Sequence, residues 1–201
     1  MGRIVLATNN AGKLRELQAL LQPLTVELVP KSQFTQDEVA ETGDTFVANA
    51  LIKARHAAGV SGLPAIADDS GIEVDALDGA PGVFSARYAG AAASDVDNLH
   101  KLLHEMNDVP DAQRTARYRC ALVYVRQADD AEPLICEAVW EGSITREPQG
   151  SGGFGYDPIF YVPVLGRTAA KISAQEKNRI SHRGKALQQL LVAMRDVERR
   201  T

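Results

Sequence analysis

The stretch Ala65-Ile66-Ala67-Asp68-Asp69-Ser70-Gly71 constrains this chain more than any other: a short apolar run ends in two adjacent carboxylates, a hydroxyl and a glycine. A buried strand that delivers charge at its C-terminal edge is where open α/β sheets keep their chemistry. Successive strand side chains point to opposite faces, so Asp68 and Asp69 cannot both aim into one pocket while the strand stays regular. One is expected to face a site and the other to cap or brace the turn. The plainer alternative is an Asx-turn closing a strand, since Asp, Ser and Gly are ordinary turn residues.

The chain has 201 residues, 45% of them hydrophobic. That is enough for one sizeable core over residues 1–201, as one domain or two closely joined lobes. A formal net charge of −4 argues against bulk electrostatic binding to nucleic acid. An anionic ligand therefore needs a locally basic pocket or a metal. The two cysteines, Cys120 and Cys136, both lie in apolar strand-like runs and read as buried thiols of a reducing compartment, not as a disulfide or a zinc site. The N-terminus opens directly into a strand, Arg3 to Thr8, and no apolar run approaches membrane-spanning length. A cytoplasmic protein with no nucleic-acid and no membrane partner is the expectation.

Ile4 to Ala7 is a short buried strand, followed by a small polar turn, Thr8-Asn9-Asn10-Ala11-Gly12. Leu14, Leu17, Leu20 and Leu21 recur at helical spacing, which predicts an amphipathic helix from Lys13 to about Gln22, stopped by Pro23. Strand, turn and helix with a lysine in its first turn form a candidate phosphate cradle, because backbone N–H groups at a helix start point outward. The glycine pattern of a Walker loop is absent. A second helix is predicted from Phe46 to about Ala58, with Asn49, Lys53 and His56 together on its polar face, ordinarily a solvated one. Glu41, just ahead of it, reads as a capping carboxylate or a metal ligand. Ile72, Val74 and Leu77 mark a further strand-like stretch, and Ser94 is a good N-cap for a helix bearing Leu99, Leu102, Leu103 and Met106. Ala116 to Val125 and Leu134 to Ile144 form a hairpin pattern.

A second informative stretch is Gly150-Ser151-Gly152-Gly153-Phe154-Gly155-Tyr156-Asp157-Pro158, where four glycines in six residues permit close approach of backbone to a ligand. Glycines on both sides leave the Phe154 ring face uncovered, which suits stacking on a planar base; the alternative is a flexible loop with its aromatics folded back into the core. Beyond it, Ser173 and Glu176 form a capping-box pattern, residues 180–184 interrupt the helix so begun, and Leu187, Leu190, Leu191 and Met194 mark a last amphipathic helix. Lys177, His182, Arg183 and Lys185 make a basic cluster beside that interruption.

In this order, the stretches from Ala7 to Lys13, Glu41 to Gly43, Asn49 to His56, Ile66 to Gly71, Gly79 to Tyr88, Thr145 to Phe160, and Glu176 with Lys177 through to Gly184 resemble the non-canonical purine nucleoside triphosphate pyrophosphatases, also called inosine/xanthosine triphosphatases. The resemblance covers nearly the whole chain. It implies an α/β fold, an elongated mixed β-sheet with flanking helices forming two lobes around a central active-site cleft, paired as a homodimer. It implies hydrolysis of ITP, dITP and XTP to monophosphate and pyrophosphate with Mg²⁺. Residue by residue, it implies that Thr8, Asn9, Asn10, Ala11, Gly12 and Lys13 hold the phosphates, with Lys53 a further contact. Glu41 and Asp69 would hold the metal, Asp69 would take the proton of the attacking water, and Ser70 would contact substrate. Phe154, Gly155, Tyr156, Asp157, Lys177, His182 and Arg183 would build the base pocket. Asn9 stands where glycine is also common in this family, and Tyr156 where several relatives carry tryptophan.

The chemistry agrees with that assignment. Hard Mg²⁺ prefers carboxylate and phosphate oxygens and needs only one or two protein ligands. Hypoxanthine and xanthine present an oxygen at C6, which the donors of His182 and Arg183 would satisfy, whereas adenine presents an amino donor. A donor near C2 would separate guanine, which carries an amino group there. Among other readings, Asp69-Ser70-Gly71 fits the signature of aspartic proteases, but those need two such aspartates close together and only one copy occurs. A dehalogenase-type phosphatase fails because Ser70 and Gly71 stand where its second aspartate is required. A nucleotide sensor without turnover has no need of Glu41 and Asp69 beside a phosphate cradle.

Overall fold

In the computed structural model, which describes residues 2–8, 10–21 and 26–198, strand β1 (Arg3–Leu6) lies between two parallel neighbours. Ile4 stands opposite Leu28 of β2 (Glu27–Pro30), and Val5 opposite Ala65 of β3 (Ala65–Val74). Parallel neighbours require crossover connections. These contain α1 (Ala11–Leu21), after β1, and α2 (Phe46–Ser61), ahead of β3. Ile4, Val5 and Leu6 are all buried, as expected of a strand covered on both faces. The side chain of Thr45 caps α2 by accepting from the Ala48 N–H, and Gly62 closes it in the left-handed conformation.

The seven strands run in the order β2-β1-β3-β4-β5-β6-β7, where β4 is Thr115–Val125, β5 Leu134–Ile144, β6 Phe160–Val162 and β7 Arg167–Thr168. The last pairings are antiparallel, with Ile144 opposite Phe160 and Tyr161 opposite Thr168, so the sheet is mixed. Helices α3 (Asp95–Glu105), α4 (Ala174–Ile180) and α5 (His182–Glu198) complete the α/β fold. Ser94 caps α3 in a full capping box with Asp97.

The chain divides into two compact units, Met1–Asp69 with Cys120–Ala138 and Arg183–Thr201, and Ser70–Arg119 with Val139–His182. Each has its own core. The first gathers Leu6, Leu17, Leu21, Ile66, Leu122, Leu187 and Leu190. The second gathers Ile72, Leu102, Met106, Tyr118, Trp140, Ile159 and Phe160. Cys120 and Cys136 are buried free thiols, and burial pushes the Cys120 thiol up to about 12. Among the described residues no helix is long and apolar enough to cross a membrane.

Two expectations are corrected. Asp68-Asp69-Ser70-Gly71 is not a turn at the end of a strand: β3 runs uninterrupted from Ala65 to Val74, with Ile66 and Ile72 both buried. The turn signal of an aspartate rests on its carboxylate bonding nearby backbone, and here lysine and arginine side chains engage both carboxylates. The break between the last two helices is also narrower than residues 180–184. Ser181 alone is extended, and α5 starts at His182.

Candidate active site

Alternation along β3 separates the two carboxylates as expected. Asp68 is fully buried, and its Oδ2 lies 3.2 Å from Lys13 Nζ and 3.2 Å from Arg183 Nη2. Burial alone would raise its pKa, but Lys13, Arg183 and Lys53 hold the carboxyl well below the usual carboxylate range. Asp69 instead accepts from Lys53 Nζ at 2.7 Å, and the same ammonium reaches Glu41 Oε1 at 2.8 Å. Burial pushes the Asp69 carboxyl above its ordinary value, with Lys53 offsetting part of the shift. Lys53 feels burial in the opposite sense, and the carboxylates of Asp69, Asp68 and Glu41 outweigh it, keeping the ammonium charged.

Glu41 owes its position to a contact the sequence did not single out. Asn49 is completely buried, not on a solvated face, and its Oδ1 accepts from the Gly43 N–H at 2.8 Å. A Cβ at residue 43 would lie 2.6 Å from Ala48 Cβ and 2.9 Å from Asn49 Oδ1, so only glycine lets the loop lie this close to α2. The loop is thereby pinned one helical turn from Lys53.

At the start of α1, Asn10 caps the helix: its Oδ1 accepts from the Lys13 N–H at 3.0 Å and its carbonyl from the Leu14 N–H at 2.9 Å. Thr8 Oγ1 accepts from the Asn10 N–H at 3.2 Å. Ala11 and Gly12 are the first helical residues, two positions before the expected start, and Asn9 lies outside the described residues. The outward N–H groups of a helix start are thus presented beside Lys13.

The second unit holds the glycine-rich stretch around Asp157, which is buried and accepts three hydrogen bonds. They come from Lys177 Nζ at 2.6 Å, the Phe154 N–H at 2.9 Å and Tyr118 Oη at 3.4 Å. A Cβ at Gly153, whose φ is +73°, would stand 1.9 Å from Asp157 Oδ2, so this turn around the carboxylate requires glycine. Lys177 Nζ sits 4.9 Å above the centre of the half-buried Phe154 ring, so a cation covers one face of it. The Gly155 N–H donates to Asp95 Oδ2 at 2.9 Å. Tyr156 lies in the core, its hydroxyl donating to Ser85 O at 2.7 Å, and is not ranged beside Phe154 on an open face. His182 is buried and stacks on Tyr118 at 4.7 Å between ring centroids. Ser70, half-buried, follows Asp69 on β3.

The basic cluster of the sequence is dispersed. Lys177 and His182 belong to the second unit, Arg183 to the first, and only Lys185 is exposed. Arg183 is buried, with Nε and Nη2 on Asp68 and Nη1 on Glu16. Its principal partner is 115 residues away in the chain, which no local pattern signals.

A cation fits this arrangement. Among the described residues no group of three or more His, Cys, Asp or Glu gathers as a cage. A hard divalent ion on a polyphosphate needs only one or two protein carboxylates. Asp69 could supply one, since its buried Oδ2 accepts no hydrogen bond among the described residues, and Glu41, on the same Lys53 ammonium, could supply the second.

The mixed sheet and its helices make this an α/β protein; its first unit carries a lysine-bridged carboxylate pair, and its second, taken by itself, an aromatic ring with an ammonium over one face. The chain belongs to the Ham1 family, whose profile matches residues 4–193. It is 58% identical, over 98% of its length and all of the relative's, to the dITP/XTP pyrophosphatase of Shigella flexneri. It is 57% identical over the same shares to that of Escherichia coli strain K12. Among solved structures, a HAM1 protein from Coxiella burnetii superposes with a TM-score of 0.90 at 52% identity, covering 98% of this chain and 100% of that one. The Staphylococcus aureus Ham1 protein superposes with a TM-score of 0.85 at 37% identity, covering 96% and 98%.

Proposed function

We propose that this protein is a nucleoside triphosphate pyrophosphatase that hydrolyses ITP, dITP and XTP to the monophosphate and pyrophosphate, clearing them before they enter DNA or RNA. The observation that carries the reading is Asp69, a buried carboxylate bridged through Lys53 to Glu41. The family match and the names of the relatives support the same substrate class. A cytoplasmic homodimer is the working assembly that the family resemblance supports.

Asp69 is the proton acceptor for the attacking water, its carboxylate held in place by the Lys53 ammonium. Glu41 and Asp69 are the residues that would hold Mg²⁺, which when bound neutralises phosphate charge and polarises the phosphorus under attack. Lys13, Lys53 and the N–H groups at the start of α1 bring fixed positive charge to the triphosphate. Lys177 and His182 supply donors for the oxygen at C6 of hypoxanthine or xanthine. A site built on such a bond rejects an analogue with the wrong group there by up to roughly 10⁴–10⁵-fold. Arg183, with its guanidinium on Asp68 and Glu16, is given a positioning role in place of the base contact expected from the sequence.

Phosphorus NMR of an ITP digest tests the reading. Pyrophosphate and IMP are expected, with activity abolished by EDTA and restored by Mg²⁺. Orthophosphate with IDP as products would overturn it. ATP and GTP should be far poorer substrates, and Phe154→Ala should weaken every purine substrate alike, since ring stacking does not distinguish bases. Arg183→Ala should lower turnover of ITP and ATP together, while a narrowed gap between them would return Arg183 to the base.

A further inference from the structure

Tyr118 was marked by no motif; it is one apolar position on the long strand β4. In the second unit it nonetheless touches His182 with its ring and Asp157, the partner of Lys177, with its hydroxyl. Its ring lies almost parallel to that of His182, at 8° and 4.7 Å between centroids. Its other neighbours are Phe160 at 4.6 Å and Trp140 at 6.2 Å, so the ring is held by aromatic surfaces and is 8% exposed. Its hydroxyl reaches Asp157 Oδ1, while Asp157 Oδ2 takes Lys177 and the Phe154 N–H.

We propose that Tyr118 is the positioning residue of base recognition: its ring orients the His182 imidazole by stacking, and its hydroxyl ties that orientation to the Asp157–Lys177 pair. The proposal rests on the reading that His182 and Lys177 address the purine. An imidazole that must offer a donor to a C6 oxygen needs a fixed ring plane, because a hydrogen bond weakens steeply once its angle opens. Backbone does not fix that plane, since the terminal torsion of histidine is broad. A parallel aromatic neighbour that is itself locked does fix it, and such pairs contribute beyond the area they bury. The dominant element is the stack; the hydroxyl contact is long and is the lesser of the two.

The test compares Tyr118→Leu, Tyr118→Phe, His182→Ala and the Tyr118→Leu/His182→Ala double variant, each checked by circular dichroism. The readout is the ratio of kcat/KM for ITP to that for ATP, with kcat and KM resolved. Tyr118→Leu should narrow the ratio about three- to tenfold, the scale of one aromatic pair, chiefly through KM for ITP. Tyr118→Phe should restore most of the ratio, because the ring remains. In the double variant the leucine should add nothing to the loss from His182→Ala. Should Tyr118→Leu not fold, Tyr118→Met, whose flexible chain adapts to an irregular gap, carries the same expectation. If His182→Ala narrows the ratio and neither Tyr118→Leu nor Tyr118→Met does, the proposal alone is overturned. Losses that multiply in the double variant, or equal falls in kcat for both substrates at an intact ratio, overturn it as well. If His182→Ala itself leaves the ratio intact, the reading of the base site has failed and takes the proposal with it.

Discussion

Asp69 in the first unit and Asp157 in the second are both buried and both paired with a lysine at hydrogen-bond distance, yet they are left in opposite conditions. Asp157 receives three donors across its two oxygens, one of them the backbone of its own loop. Asp69 receives Lys53 on Oδ1, while among the described residues its buried Oδ2 accepts no hydrogen bond. An unmet buried acceptor costs about 1–3 kcal/mol. Proteins tolerate such a cost where function uses it. Asp157 is therefore a finished piece of architecture that shapes the glycine-rich stretch, whereas Asp69 keeps an oxygen that the described residues do not engage. Two carboxylates that look alike in the sequence differ because one sits among donors that include its own loop and the other beside a single ammonium shared with Glu41.

The most damaging substitution should be Asp69→Asn, which keeps the shape and removes the proton acceptor. Pyrophosphate release from ITP should fall by roughly 10²–10⁴-fold in kcat, the usual range for a lost general base. Asp68→Asn, whose wild-type side chain already holds Lys13 and Arg183, should lose less in kcat and more in thermal stability. Equal kcat losses for the two would erase the distinction drawn between opposite faces of β3.

A smaller effect is expected one step back from the carboxylate pair. Asn49→Ala removes the acceptor that holds the Gly43 N–H and frees the loop bearing Glu41. Groups that orient a metal ligand typically change metal affinity by about 10–100-fold when lost. The Mg²⁺ concentration giving half-maximal activity should rise by that order, and Mn²⁺ binding followed by electron paramagnetic resonance should weaken in parallel. The ITP/ATP ratio should stay put. A change in that ratio with Mn²⁺ affinity intact would mean that the loop serves the base and not the cation.

Much of the fold was legible in the sequence. β5 has the bounds that alternation suggested, Ser94 caps α3, and the apolar spacing after Phe46 places α2 within three residues. What was not legible depended on partners far along the chain. Asp-Ser-Gly reads as a turn until Lys13, Lys53 and Arg183 draw the carboxylates into the interior of β3. Asn49 reads as solvated until the Gly43 N–H is found against it. The site shows the same division. Residue types and their order pointed to a carboxylate pair and a base-reading group. Which of those side chains face a ligand and which hold their neighbours is set by pairings such as Arg183 with Asp68 and Asp157 with Lys177, and no local periodicity encodes them.

Tyr156 gives the finest test of the contrast between an open and a finished group, because the sequence placed it in the base pocket and the structure places it in a core. Its ring packs among the buried residues of the second unit, and its hydroxyl donates to Ser85 O, whose own side chain accepts from the Ile72 N–H. Tyr156→Phe keeps the ring and removes one buried hydrogen bond, leaving the Ser85 carbonyl with one donor fewer. A single bond of this kind contributes about 0.5–1.5 kcal/mol net. In a chain of this size each kcal/mol moves the melting temperature by about 2–4 °C. A melting temperature lower by a few degrees, with kcat, KM and the ITP/ATP ratio unchanged, is the result expected of a residue that only holds the loop to its neighbours. If the ratio moved while the melting temperature stayed fixed, Tyr156 would be touching the base, and the finished side of the comparison would have to be redrawn to exclude it.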